Sequence, residues 1–166
     1  MLCIICLLYL AFAWTSKAYL DRDTNIRYGY LRRFSHLEGR FYALSHIFVW
    51  TMMLVVLVDS LGLMWVTVEA TTLVSALLVA FKFTRTSLEA AWKYVMVCTV
   101  GICLALLGTI LVYYAQLTAL GASQPLDWAF LAAHGSDLSP GLAKMAFCFL
   151  FVGYGTKVGL APMHAW

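Results

Sequence analysis

Residues 62–81 read GLMWVTVEATTLVSALLVAF, twenty residues in which Glu69 is the single charge. As a helix at about 1.5 Å per residue they reach about 30 Å, the thickness of the hydrocarbon core of a bilayer. A helix satisfies its own backbone hydrogen bonds, so a run of this length and apolarity can sit in lipid. Only Asp59, Ser60 and Leu61 mark the junction with an upstream apolar run, residues 41–59. The two runs are therefore expected to form a tight antiparallel hairpin, with Gly62 helping the turn.

Three further runs of the same kind lie at residues 1–20, 93–115 and 142–161. They predict an all-α, polytopic transmembrane helix bundle of about five helices, forming a single membrane domain over residues 1–166. The connection before the last helix is long, about 25 residues, and contains Pro125, Pro140 and a short apolar patch at 128–133. That patch is expected to lie along the membrane surface.

Composition points the same way. Of the 166 residues, 63% are hydrophobic and 11% charged, and mean hydropathy is +0.86. A soluble domain carries roughly a quarter charged residues, so too little polar surface is present to cover a globule. A soluble enzyme, a nucleic-acid binder and a disordered tail are disfavoured together. The first cation, Lys17, follows the N-terminal apolar run and does not precede it, which is the wrong order for a signal peptide. Cys3, Cys6, Cys98, Cys103 and Cys148 lie in apolar runs and read as small buried hydrophobes. Cys3 and Cys6 have neither a second pair nor a nearby His, so no disulfide, metal site or cofactor is expected.

The cations set an orientation. Lys17, Arg22, Arg27, Arg32, Arg33, Arg40, Lys82, Arg85 and Lys93, nine of the 11 Lys and Arg, flank the first and third connections. The other side offers Asp59, Asp127 and Asp137, with Lys144 near its edge. The basic side is expected to face the cytoplasm.

Two charges escape this account. Glu69 lies about 10 Å from the non-basic end of its helix. Lys157 sits deep in the last one. An ionisable side chain at such depth costs about 2.5 to 3.5 kcal/mol on insertion scales, so both are expected to face a protein or water-lined interior and to serve function. The Glu69 face carries Gly62, Trp65, Thr72, Ala76 and Ala80; the Lys157 face carries Ala143, Ala146, Leu150, Gly153 and Tyr154. Both are close-packing faces. Gly153, Gly155, Gly159 and Pro162 predict a break in the last helix around residues 159–163, near Pro162. A broken helix beside an intramembrane cation suits ion transfer. His164 beyond the break and Lys93 at the start of the fourth helix are weaker relay candidates. Gly101, Ala105 and Gly108 read as a helix-packing stripe, and His46 as a structural histidine.

The segments MWVTVEATTL (64–73), SLEAAWKYVMVCTVG (87–101) and GYGTKVGLAPMHAW (153–166) resemble the hydrogenase-4 and formate hydrogenlyase membrane subunit called component F. That family is related to the antiporter-like subunits of proton-pumping NADH:quinone oxidoreductase. The resemblance runs from about residue 44 to 166. It implies a glutamate and a lysine paired in a buried proton pathway, matched here by Glu69 and Lys157, with Lys93 matching a further lysine. It also implies that the chain is an internal fragment of a larger, approximately fourteen-helix subunit. Its partners would be other membrane and hydrophilic subunits of a hydrogenase or NADH-type complex, together with membrane lipid, in a bacterial or archaeal cell membrane. The implied role is proton translocation driven by electron transfer in the partners, with no redox centre of its own. A structural anchor and an independent cation/proton antiporter are the alternatives.

Overall fold

The computed structural model describes residues 1–28, 34–121 and 125–161. Six helices account for most of them: α1 (Leu2–Tyr28), α2 (Phe34–Leu57), α3 (Leu61–Val79), α4 (Arg85–Leu120), α5 (Trp128–His134) and α6 (Pro140–Val158). A 3-10 turn, Ala80–Lys82, extends α3, and another, Gly135–Asp137, follows α5. No strand occurs among the described residues, in keeping with the expected all-α membrane bundle.

Among the described residues three spans are long and apolar enough to cross a membrane: Gly39–Leu57, Leu61–Lys82 and Arg85–Leu120. The apolar part of α1, Leu2–Ala18, is shorter, and α6 holds both Lys144 and Lys157 within 19 residues. A count of about five crossings therefore depends on α1 and α6 following the other three.

Two local devices fix the central hairpins. At one end, Leu61 N–H donates to the Leu126 carbonyl (3.0 Å) and Trp128 N–H donates to the Asp59 carbonyl (3.1 Å), which ties the α2–α3 turn to the connection before α5. At the other end Phe83 takes a left-handed conformation (φ 45°) and reverses the chain. Thr84 and Ser87 then cap each other reciprocally: Ser87 N–H donates to Thr84 Oγ1 (3.1 Å) and Thr84 N–H donates to Ser87 Oγ (2.9 Å). That box starts α4 at Arg85, well ahead of the expected residue 93, and the helix runs on to Leu120. Its 36 residues amount to about 54 Å, longer than the hydrocarbon is thick. Likewise α1 and α2 extend into the polar stretch between them. Hydropathy marks where a helix is apolar, whereas capping and turns mark where it ends.

The ends of the bundle are sorted as the charge pattern requires. Phe41 of α2 meets Phe81 after α3 (5.3 Å between ring centroids), and Arg40 lies over Phe83 (5.5 Å). The two basic connections thus share one end, and the Leu61–Leu126 and Trp128–Asp59 hydrogen bonds mark the other.

Inside the bundle the usual arrangement is inverted. Ala105, Thr72 and Gln116 are fully buried, while Val100, Leu73, Leu77 and Phe147 face outward. Small and polar residues inside with large apolar ones outside is how helices pack in lipid. The expected stripe on α4 is the seam against α6. A Cβ on Gly153 would come within 2.4 Å of the Ala105 backbone nitrogen, and one on Gly108 within 2.9 Å of the Leu150 nitrogen. A Cβ on Gly101 would overlap the Thr156 side chain, and the pairing of 101, 105 and 108 with 156, 153 and 150 shows that α4 and α6 run antiparallel with their backbones nearly touching.

Candidate functional site

The close α4–α6 seam delivers Lys157 to α3. Its Nζ donates to Thr72 Oγ1 (2.7 Å) and to the Tyr94 hydroxyl (3.1 Å), and it lies 5.6 Å from the centroid of the Tyr94 ring. The Tyr94 hydroxyl is 2.7 Å from Ser75 Oγ, whose own hydrogen goes to the Thr72 carbonyl (2.9 Å). Thr72 and Ser75 are on α3, Tyr94 on α4 and Lys157 on α6, so three helices meet at one ammonium. Buried Ala76 and Cys98 close the site around them.

Helix α6 ends just past its lysine. Gly159 adopts φ 77°, its N–H bonds the Thr156 carbonyl (3.3 Å) and Leu160 N–H bonds the Gly155 carbonyl (2.9 Å), a Schellman stop. The helix stops at the near edge of the range in which a break is expected, and Gly159 supplies the left-handed residue that an L side chain resists. Pro162 and His164 lie outside the described residues. Because Lys157 occupies the last turn, the negative end of the α6 dipole also favours its charge.

Glu69 lies one turn from Thr72, on the same face of α3. Its Oε2 is buried and has no hydrogen-bond partner. The two charges lie within each other's electrostatic reach without forming a direct ion pair. The anticipated face of Glu69 is otherwise as expected: Trp65 Nε1 donates to the Ile102 carbonyl (2.8 Å), and Thr72 and Ala76 are buried. On the face of Lys157, the Tyr154 hydroxyl is buried and lies close to Thr109 of α4.

Lys93 is not brought to this cluster. It is exposed, in the third turn of α4, and pairs with Glu89 one turn earlier (2.5 Å). Its neighbour Tyr94 turns inward instead. Sequence reading missed Tyr94, although a signal existed: positions 94 and 98 continue the 101, 105, 108 packing stripe by one and two turns. His46 Nδ1 lies 2.6 Å from the Tyr42 carbonyl, one turn earlier on α2. The described residues contain no group of His, Cys, Asp and Glu able to hold a metal.

Comparison with known proteins places this arrangement. The family model described as "NADH:quinone oxidoreductase/Mrp antiporter, TM" matches residues 58–166, which include Glu69, Tyr94 and Lys157. The chain belongs to that family. It is 43% identical over 109 residues to a hydrogenase-4 component F homolog of Methylacidiphilum infernorum, covering 65% of this chain and 23% of the relative. It is 31% identical over 121 residues to hydrogenase-4 component B of Escherichia coli (73% and 17%). It is 30% identical over 130 residues to NADH-quinone oxidoreductase subunit N of Azobacteroides pseudotrichonymphae (78% and 25%). The chain thus spans a quarter or less of the length of these relatives. No solved structure matches it. It is a membrane chain of the antiporter-like subunit family found in hydrogenase-4 and NADH:quinone oxidoreductase complexes, and its bacterial relatives put it in the inner membrane. The relatives are named as components of hydrogenase-4 or as a subunit of NADH-quinone oxidoreductase.

Proposed function

We propose that this chain carries protons through the membrane arm of a hydrogenase-4 or NADH:quinone oxidoreductase-type complex, coupling electron transfer in partner subunits to proton movement. The observation that carries this reading is the setting of Lys157. A cation in the last turn of a helix inside the bundle, held by hydroxyls instead of a carboxylate, has partners that can accept or return a proton. A structural ion pair needs direct contact between its charges, and Glu69 and Lys157 have none. Glu69, with an unpartnered oxygen in the same interior, is the second relay group. The charges would then communicate across the cluster, each protonation changing the proton affinity of the other. His164 beyond the α6 break and Lys93 at the basic end are the proposed flanking members. In this reading the chain is one membrane domain of a larger subunit, the basic end faces the cytoplasm, and the partners are membrane and hydrophilic subunits of the complex together with lipid.

The test is a double-mutant cycle on the subunit assembled in its complex. Glu69→Gln and Lys157→Ala should each depress proton translocation per assembled complex, and the double variant should lose much less than the two losses combined. Normal translocation in both assembled single variants would refute the relay.

A further inference from the structure

The hydrogen directions around Lys157 form an ordered chain. Lys157 donates to Tyr94; the Tyr94–Ser75 contact can carry its hydrogen either way, and because Ser75 also donates its single hydrogen to the Thr72 carbonyl, the ordering that satisfies all three contacts has Tyr94 donating to Ser75. The Tyr94 hydrogen therefore points away from the ammonium. The second acceptor behaves alike: Thr72 Oγ1 accepts from Lys157 and donates to the Val68 carbonyl (3.2 Å). An ammonium has only hydrogens to give and needs lone pairs facing it, which this arrangement supplies. A neutral amine has a lone pair and is better served by a hydroxyl that donates to it.

We infer that Tyr94 is a positioning residue, the pivot of a hydroxyl switch through which Ser75 and Lys157 are linked. When Lys157 releases its proton, the Tyr94 hydrogen turns toward Nζ and the Ser75 hydrogen turns from the Thr72 carbonyl to Tyr94. No heavy atom has to move, because the contacts at 3.1 and 2.7 Å serve either polarity. The chain leads toward the basic end, since Ser75 lies a turn beyond Thr72 in that direction. The ionisable groups facing Lys157 are Glu69 from α3, and Tyr94 and Cys98 from α4; the Cys98 thiol also neighbours the Tyr94 hydroxyl and offers it a weaker acceptor. Lys93, on the outer face of α4, is not among them.

The inference rests on Lys157 being a relay group, and its test separates the two claims. Proton translocation per assembled complex is measured against pH in Tyr94→Phe, Ser75→Ala, the double variant, Ser75→Thr and Lys157→Ala. Removing the Tyr94 hydroxyl takes an acceptor from the ammonium, so Lys157 gives up its proton at lower pH. The alkaline limb of the profile should move down by about one pH unit. Ser75→Ala removes the outward acceptor for the Tyr94 hydrogen and should move it in the same direction by less. The double variant should match Tyr94→Phe, and Ser75→Thr should restore the wild-type profile. A residue that merely packs would change the amount of complex and leave the pH profile in place. Unchanged limbs in assembled Tyr94→Phe and Ser75→Ala, with translocation lost in Lys157→Ala, would overturn the switch alone. Normal translocation in Lys157→Ala would overturn the relay and the switch with it.

Discussion

Position favours the charge of Lys157 as much as its partners do. Lys157 sits in the last turn of α6, at the negative end of the helix dipole, and two hydroxyls from α3 and α4 accept hydrogen bonds from its ammonium. A hydrogen bond to a charged group contributes about 1.5 to 3 kcal/mol. Thr72→Val keeps the volume of a fully buried side chain and removes one of these bonds. It should therefore lower proton translocation at least fivefold while altering the yield of assembled complex far less, as read by translocation per complex. Gly159→Ala should weaken the Schellman stop by about 1 kcal/mol and misplace the lysine, lowering translocation to a smaller extent. Glu69 and Lys157 stood out in the sequence because a charge inside an apolar run is costly in lipid. Tyr94 and Ser75 did not, because a hydroxyl costs little in such a run and reads as packing or as an interfacial aromatic. Lys93 drew attention by its charge, yet a one-residue step is a 100° turn on a helix, and Tyr94 took the inward position.

The α4–α6 seam is the element on which the site depends. Thr156 fits against Gly101, and the next residue is Lys157, so any added bulk along the seam shifts the lysine relative to Thr72. Gly153→Ala would drive a methyl group into the Ala105 backbone, which no side-chain rotation can relieve. The expected cost is about 1 to 3 kcal/mol, seen as reduced assembled complex and reduced translocation in what remains. Gly141→Ala, where an added Cβ meets nothing within 4 Å, should leave both unchanged and serves as the control. The seam itself was readable from the spacing of Gly101, Ala105 and Gly108. The helix limits were less so. Apolarity located the middle of α4, but the capping box at Thr84 and Ser87 and the left-handed Phe83, which set its true start, are signals of another kind.

At the scale of the whole molecule, the shared ends of the bundle turn a charge count into a topology. Single cysteines introduced near Arg85 should react with membrane-impermeant reagents from the cytoplasmic face, and those near Asp127 from the opposite face. The reverse labelling would invert the assignment. Only part of the subunit's length in its relatives is matched here, and large apolar side chains such as Val100 and Phe147 face outward. The 166-residue chain alone is accordingly expected to insert into liposomes without dissipating a pH gradient, a result that fluorescence of an entrapped pH dye would check. The most direct test of the central claim is the number of protons translocated per electron transferred by assembled complex carrying Lys157→Ala. If Lys157 is a proton carrier, that ratio falls clearly below the wild-type value while assembly persists; an unchanged ratio would contradict the relay.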